Sequence, residues 1–365
     1  MRRLLQISLC ILALLPLSCM RWEYGQREHF SLLGEGVFIV SEGNFNYGGA
    51  SLSYYDAATR HIENELFYRA NAMKLGDVAQ SMVVRDGVAW IVVNNSHVVF
   101  AVDAETLREK GRITDLPSPR YICFVSDEKA YITQIDSDRI VVVNPKTFSI
   151  TGEIVCPMTT PYRTGSTEQM VLLGDYLYVS CWSYQKRILK IDTRTDEVVD
   201  YTDIGLQPKS MVADRRGKLW VVSDGGYEGN VLGYEAAKLY RINPETLEVE
   251  RLFELGKGLY GDATRTASRL KINEAGDTLY WIDGGVWRMS IDAEELPTEP
   301  FVASRVGTTC SIYYALGVAP DTEEVYVGDA LDYQQRSVVY RYSPEGELLD
   351  SFTTGVITGD FCWKR

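Results

Sequence analysis

The chain has 365 residues, is 45 % hydrophobic and carries a net charge of −13. That acidic balance excludes a surface for nucleic-acid phosphates, which needs clustered Lys and Arg. Past residue 18 no apolar run approaches the roughly 18 residues of a membrane-spanning helix, which excludes a body built from such helices.

The chain opens on Arg2-Arg3, the apolar run Leu4 to Leu17, and Ser18-Cys19. A charged start, a short apolar core and a small-residue end make a secretory signal. The cysteine makes it resemble a bacterial lipoprotein signal, with Pro16 standing where Leu is usual. The resemblance implies that residues 1–18 are removed and that Cys19 carries the lipid. Loss of Arg2 and Arg3 takes the charge to −15. Residues 19–35 are then a lipidated tether and 36–365 a single domain. Cys123, Cys156, Cys181, Cys310 and Cys362 match no zinc or redox spacing and are read as buried small hydrophobes.

From residue 36 on, one pattern repeats. Its clearest copy has a strand over Val88 to Val93, a polar turn at Asn94-Asn95-Ser96, a strand over Val98 to Val102 and a sharp turn at Asp103-Ala104-Glu105-Thr106-Leu107. β-branched and aromatic residues suit a packed pleated surface, while an Asp or Asn side chain accepts backbone hydrogen bonds and turns the chain. The closing turn recurs at Asp56, Asn144, Asp192, Asn243, Asp292 and Ser343. An aromatic recurs on the preceding strand at Phe38, Trp90, Tyr131, Tyr178, Trp220, Tyr280 and Tyr326, a spacing of about 48 residues. Such a period is that of a propeller blade. The sequence therefore predicts an all-β, seven-bladed β-propeller of four-stranded blades. Outer strands are expected near Ile62 to Phe67 and Phe301 to Ala303 among others, and no helix of three turns is evident. The first unit lacks an inner strand, and Gly359 to Trp363 resembles the inner strands that begin at Ser81 and Ser210. The C-terminal strand is expected to join the first blade, closing the ring and removing two open edges.

Loops leaving each second strand and loops entering each inner strand must reach the same face. The first set carries Asn44 to Tyr47, Asn94, Asn95, Gln134, Asp136, Trp182, Tyr184, Asp224, Tyr227, Glu228, Asp283, Asp332 and Tyr333. The second carries Met73, Lys74, Gln80, Arg120, Tyr162 to Thr164, Glu168, Lys209, Tyr260, Arg265, Thr266, Thr308, Thr309, Tyr313, Thr358 and Asp360. Aromatics, amides and charges of both signs suit a large polar ligand with flat parts. The ligand-binding candidates are Phe45, Tyr47, Asn94, Arg120, Gln134, Tyr162, Arg163, Trp182, Tyr184, Tyr227 and Tyr313. No catalytic or metal site is assigned. His29, His61 and His97 are all away from the expected centre. The acids Asp224, Glu228, Asp283 and Asp329 are read as solvated turns or local hydrogen-bond acceptors rather than as Ca²⁺ ligands.

The signal, Cys19 and the repeated Asp/Asn turns together resemble the YncE-like propellers of Gram-negative surface lipoproteins. Within these the chain is most similar to the BtuG-type cobalamin-binding lipoproteins. That resemblance implies lipid anchoring at the outer membrane, at the cell surface, with no other membrane contact. It also implies capture of cobalamin or another corrinoid as a ligand, not as a catalytic cofactor, and a TonB-dependent outer-membrane transporter as partner. Binding of glycans or another nutrient on the same face, a Ca²⁺-dependent lactonase or lyase, and an interaction scaffold are the alternatives.

Overall fold

The computed structural model describes residues 27–256, 267–305 and 311–364. Cys19, Cys310 and the connection at 257–266 lie outside the described residues. Seven antiparallel sheets form the propeller. Among the described residues six have four strands and the sixth blade has three; in every blade but the first the order runs inner to outer along the chain. The period-2 pattern of each strand explains the arrangement, because alternate side chains meet opposite neighbours. Along the second strand of blade 2, Val88–Val93, Ile91 and Val93 pack toward blade 1, while Trp90 and Val92 pack toward blade 3. Seven apolar clusters result, one at each interface between adjacent blades. The seven repeated aromatics lie in them, each at most 4 % exposed.

The closing turns are built as expected. Asp103 Oδ1 accepts from the backbone N–H of Glu105 at 3.2 Å and of Thr106 at 3.0 Å. Asp56, Asn144, Asp192 and Asn243 each cap the same turn through a side-chain oxygen, as does Ser343 through Oγ. In blade 6 the acceptor is Ser290 Oγ and Asp292 supplies the N–H, so the register of that copy differs by two residues. The C-terminal strand Thr358–Lys364 pairs with Gly36–Ser41 and supplies the inner strand of blade 1, as predicted.

Two outer strands differ from expectation. In blade 1 the strand covers only His61–Glu63, and Leu66–Asn71 forms a short helix that buries Leu66, Phe67 and Ala70. In blade 6 the segment at 301–303 makes a single bridge, Val286 to Val302, in place of a strand. The cysteines Cys123, Cys156, Cys181 and Cys362 are free thiols. Burial pushes Cys156 and Cys362 up to about 12, which keeps them protonated and inert.

Candidate functional site at the propeller axis

The inner strands converge on the axis, and their first residues determine what lines it. In six blades the pairing of the inner strand with its neighbour slips at this point. The extra residue in each bulge is Gly359, Lys209, Arg269 with Leu270, Tyr314, Gln80, and Arg120 with Tyr121, in blades 1, 5, 6, 7, 2 and 3. A bulge breaks the alternation of faces and re-aims a side chain. In blade 4 the corresponding residue is Glu168, whose N–H donates to Ser180 O at 2.8 Å. The chain enters these strands through left-handed residues, Val78, Ser118, Gln207 and Ile357. Val and Ile are unfavourable there, and such strain is often concentrated at functional sites.

The result is a funnel of about 280 Å³ with one residue contributed per blade: Gln80, Arg120, Glu168, Lys209, Arg269, Tyr314 and, for blade 1, Glu42. Blade 1 has glycine at the bulge, and a Cβ on Gly359 would lie 2.6 Å from Glu42 Oε1. Glu42, just past the second strand, occupies that vacated space.

The charges are ordered. Arg120 grips Glu168 with two hydrogen bonds, Nε to Oε2 at 2.7 Å and Nη2 to Oε1 at 2.8 Å. Both are buried, and the paired charge of Glu168 offsets the burial that would otherwise favour neutral Arg120. Arg269 donates Nε to Tyr314 O at 2.9 Å and Nη2 to Glu42 Oε1 at 3.4 Å, and Tyr314 OH donates to Glu42 Oε2 at 3.1 Å. Burial still raises the Glu42 carboxyl above its ordinary range, against the pull of Arg269. Lys209 Nζ stands 4.6 Å over the Trp182 ring, and Arg120 lies 5.5 Å from that ring's centre. Burial lowers Lys209, opposed by the charge of Asp224.

Aromatic side chains surround the mouth. Phe45, Trp182 and Tyr333 line the funnel, and Tyr314 meets Tyr333 edge-on at 5.8 Å. Tyr162 meets Tyr184 at 4.5 Å, and the Tyr184 and Tyr227 hydroxyls are 2.7 Å apart. Tyr47 is 89 % exposed on the same face.

The structure therefore brings Phe45, Asn94, Arg120 and Trp182 to the funnel and gathers Tyr162, Tyr184 and Tyr227 beside one another. Asn94 is also a strut, donating Nδ2 to Pro119 O at 3.1 Å. Two candidates have structural roles. Gln134 is buried and donates Nε2 to Arg139 O at 3.0 Å, which fastens its own hairpin. Tyr313 is buried in the core between blades 6 and 7, and its neighbour Tyr314 reaches the axis because the bulge shifts the alternation by one. The Arg163 side chain lies outside the described residues. Glu42, Tyr121, Arg269 and Tyr314 were not signalled by loop composition, whereas Gln80, Glu168 and Lys209 stand one residue before the Ser-Met, Gln-Met and Ser-Met openings of their strands.

Two of the four loop acids, Asp224 and Asp329, are occupied locally. Asp224 accepts from Trp182 Nε1 at 2.8 Å and Gln207 Nε2 at 2.9 Å, and Asp329 from Ser311 Oγ at 2.6 Å. Among the described residues no three His, Cys, Asp or Glu side chains gather as a metal site would need. His97, in the turn between the second and third strands of blade 2, accepts at Nδ1 from Ser118 N–H at 3.2 Å and so braces the connection from blade 2 to blade 3.

A family model, described as a domain of unknown function (DUF5074), matches residues 35–354. The chain belongs to the DUF5074 family. No curated protein matches it in sequence. Among solved structures, this DUF5074 chain is similar to a quinonprotein alcohol dehydrogenase-like protein of Bacteroides thetaiotaomicron at 15 % identity and TM-score 0.69, over 92 % of this chain and 78 % of that one. It is also similar to the periplasmic gluconolactonase of Pseudomonas aeruginosa at 12 % identity and TM-score 0.66, over 91 % and 99 %. A protein of unknown function from Bacteroides caccae is similar at 10 % identity and TM-score 0.51, over 91 % and 100 %. At these identities the likeness is one of fold. That fold likeness agrees with the seven-bladed propeller built by the sheets of this DUF5074 chain.

Proposed function

We propose that this propeller is a lipid-anchored protein of the outer-membrane surface, held by Cys19, that captures a corrinoid of the cobalamin type. It would do no chemistry on the ligand and would pass it to a TonB-dependent transporter. The observation that carries the reading is the funnel itself, with one polar or charged residue from each blade beneath a rim of aromatics. Rings supply flat contact area and fixed polar groups supply orientation, which is how a rigid site holds a large amide-edged ligand. At about 280 Å³ the funnel is too small to enclose such a ligand, which would lie across the mouth with one group inserted.

The path of the chain supports capture from the medium. Leu32 N–H donates to Glu105 O at 2.9 Å and Lys364 Nζ to Gly34 O at 3.3 Å, so residues 32–34 lie on the face of the closing turns, opposite the funnel. The described residues ahead of the first blade therefore do not cover the funnel. Calorimetric titration with cyanocobalamin and cobinamide tests the proposal. Saturable binding of either one, weakened by Trp182→Ala, is the expected result. Absence of heat with both, from folded protein, would remove corrinoid capture and direct the search to glycans or to chelator-sensitive lactone hydrolysis.

A further inference from the structure

Three cations line the funnel against two carboxylates, and their donors are only partly used. Arg120 spends Nε and Nη2 on Glu168, and Arg269 spends Nε and Nη2 on Tyr314 O and Glu42. Arg120 Nη1, Arg269 Nη1 and Lys209 Nζ have no acceptor among the described residues. None of the three belongs to the buried, unpartnered polar atoms, so these donors meet the water of the cavity. The nearby acid Asp224 is already held by Trp182 Nε1, Gln207 Nε2 and Gly226 N–H. The three cations exceed the two carboxylates of the lining, Lys209 has no direct ion pair among the described residues, and an oxyanion accepts several N–H bonds at once.

We infer that the funnel floor is an oxyanion site, in which Lys209, Arg120 and Arg269 hold a carboxylate or phosphate group of the ligand. Trp182 forms its wall, covering Lys209 and Arg120 from the side. The inference rests on the reading of the funnel as a ligand site and names the chemistry of the group that enters it. Salt bridges between Lys209 and a protein carboxylate would make the site redundant, and no such pair occurs among the described residues.

The test uses inorganic phosphate and citrate, titrated into purified protein with ionic strength held constant by chloride, and read by tryptophan fluorescence and thermal melting. Wild type should respond saturably to at least one. Lys209→Gln should weaken the dissociation constant at least tenfold, Lys209→Arg should retain it within threefold, and the exposed Lys146→Gln should not change it. Lys209→Met, which keeps the stem over Trp182, repeats the comparison if the amide destabilises the chain. Equal responses in wild type and in both neutral variants, or no saturable response to either anion in folded wild type, would overturn the site. Cyanocobalamin binding that is unchanged in Lys209→Gln would also count against it while leaving capture intact. Phosphate binding without corrinoid binding would support the site and end the corrinoid reading. Displacement of phosphate by cyanocobalamin would assign the oxyanion to a pendant group of the captured ligand. Lack of displacement by bound cyanocobalamin would show that the oxyanion is not a group of the captured ligand and would overturn that assignment.

Discussion

Replacing Arg120 by alanine strips Glu168 of two hydrogen bonds, at 2.7 and 2.8 Å, and of its opposite charge. Glu168 is 1 % exposed and Arg120 9 %, so water cannot make good the loss without rearrangement. Breaking a buried pair from one side costs about 3–5 kcal/mol, because one charge stays buried without its partner. Removing both partners leaves no stranded charge, so Arg120→Ala with Glu168→Ala should cost about 1–2 kcal/mol, mostly lost packing. The two single variants and the double variant form a cycle, and since the two single losses together exceed the double, the expected coupling energy is at least about 4 kcal/mol. Guanidinium unfolding of all four proteins, with equal slopes as the check on a common two-state transition, measures it. A coupling below about 0.5 kcal/mol would refute the argument, since that is the value for an ion pair already in water.

At the closing turn of blade 2, Asp103→Ala removes acceptors for Glu105 N–H, Thr106 N–H and Thr106 Oγ1, and should cost about 1–2 kcal/mol. Those hydrogen bonds, with Thr106 first among them, hold the Asp103 carboxyl down to about 2 from 3.8. A depressed folded-state value means the contribution is complete above pH 4–5 and is lost as pH falls toward about 2, so wild type and Asp103→Ala should converge in denaturation midpoint over that window. At the funnel, Tyr314→Ala and Tyr313→Ala should separate binding from stability. The first should weaken ligand or phosphate binding several-fold, with little loss of melting temperature. The second should leave binding within twofold but cost about 3–5 kcal/mol by emptying a core site. Melting curves and titrations on the pair decide it, and equal effects of the two would contradict the bulge assignment.

What could be read from the sequence was local. The closing turns announce themselves because an Asp or Asn side chain bonds to N–H groups two or three residues ahead, and the strands because Val, Ile and aromatics alternate. Tyr313 and Tyr314 mark where this reading runs out. Simple alternation cannot say which one faces the axis, because the pairing slips between Tyr313 and Ala315. The ring of seven was also hidden by its chemistry. A structural repeat recurs in residue type, whereas the funnel has Gln80, Arg120, Glu168, Lys209, Arg269 and Tyr314 at matching places. Only their position at the entrance of the inner strand is shared. Glu42 lay furthest from view, since it fills the blade 1 place from the end of the second strand, over a glycine about 317 residues later in the chain. That long separation links folding to the site. The strand Thr358–Lys364 closes the ring and brings Gly359 beneath Glu42. Until it docks, Glu42 has neither its packing floor nor its fixed place between Arg269 and Tyr314. The last strand to join the sheet therefore completes both the fold and the charge pattern of the funnel, and a chain with an open first blade would lose both together.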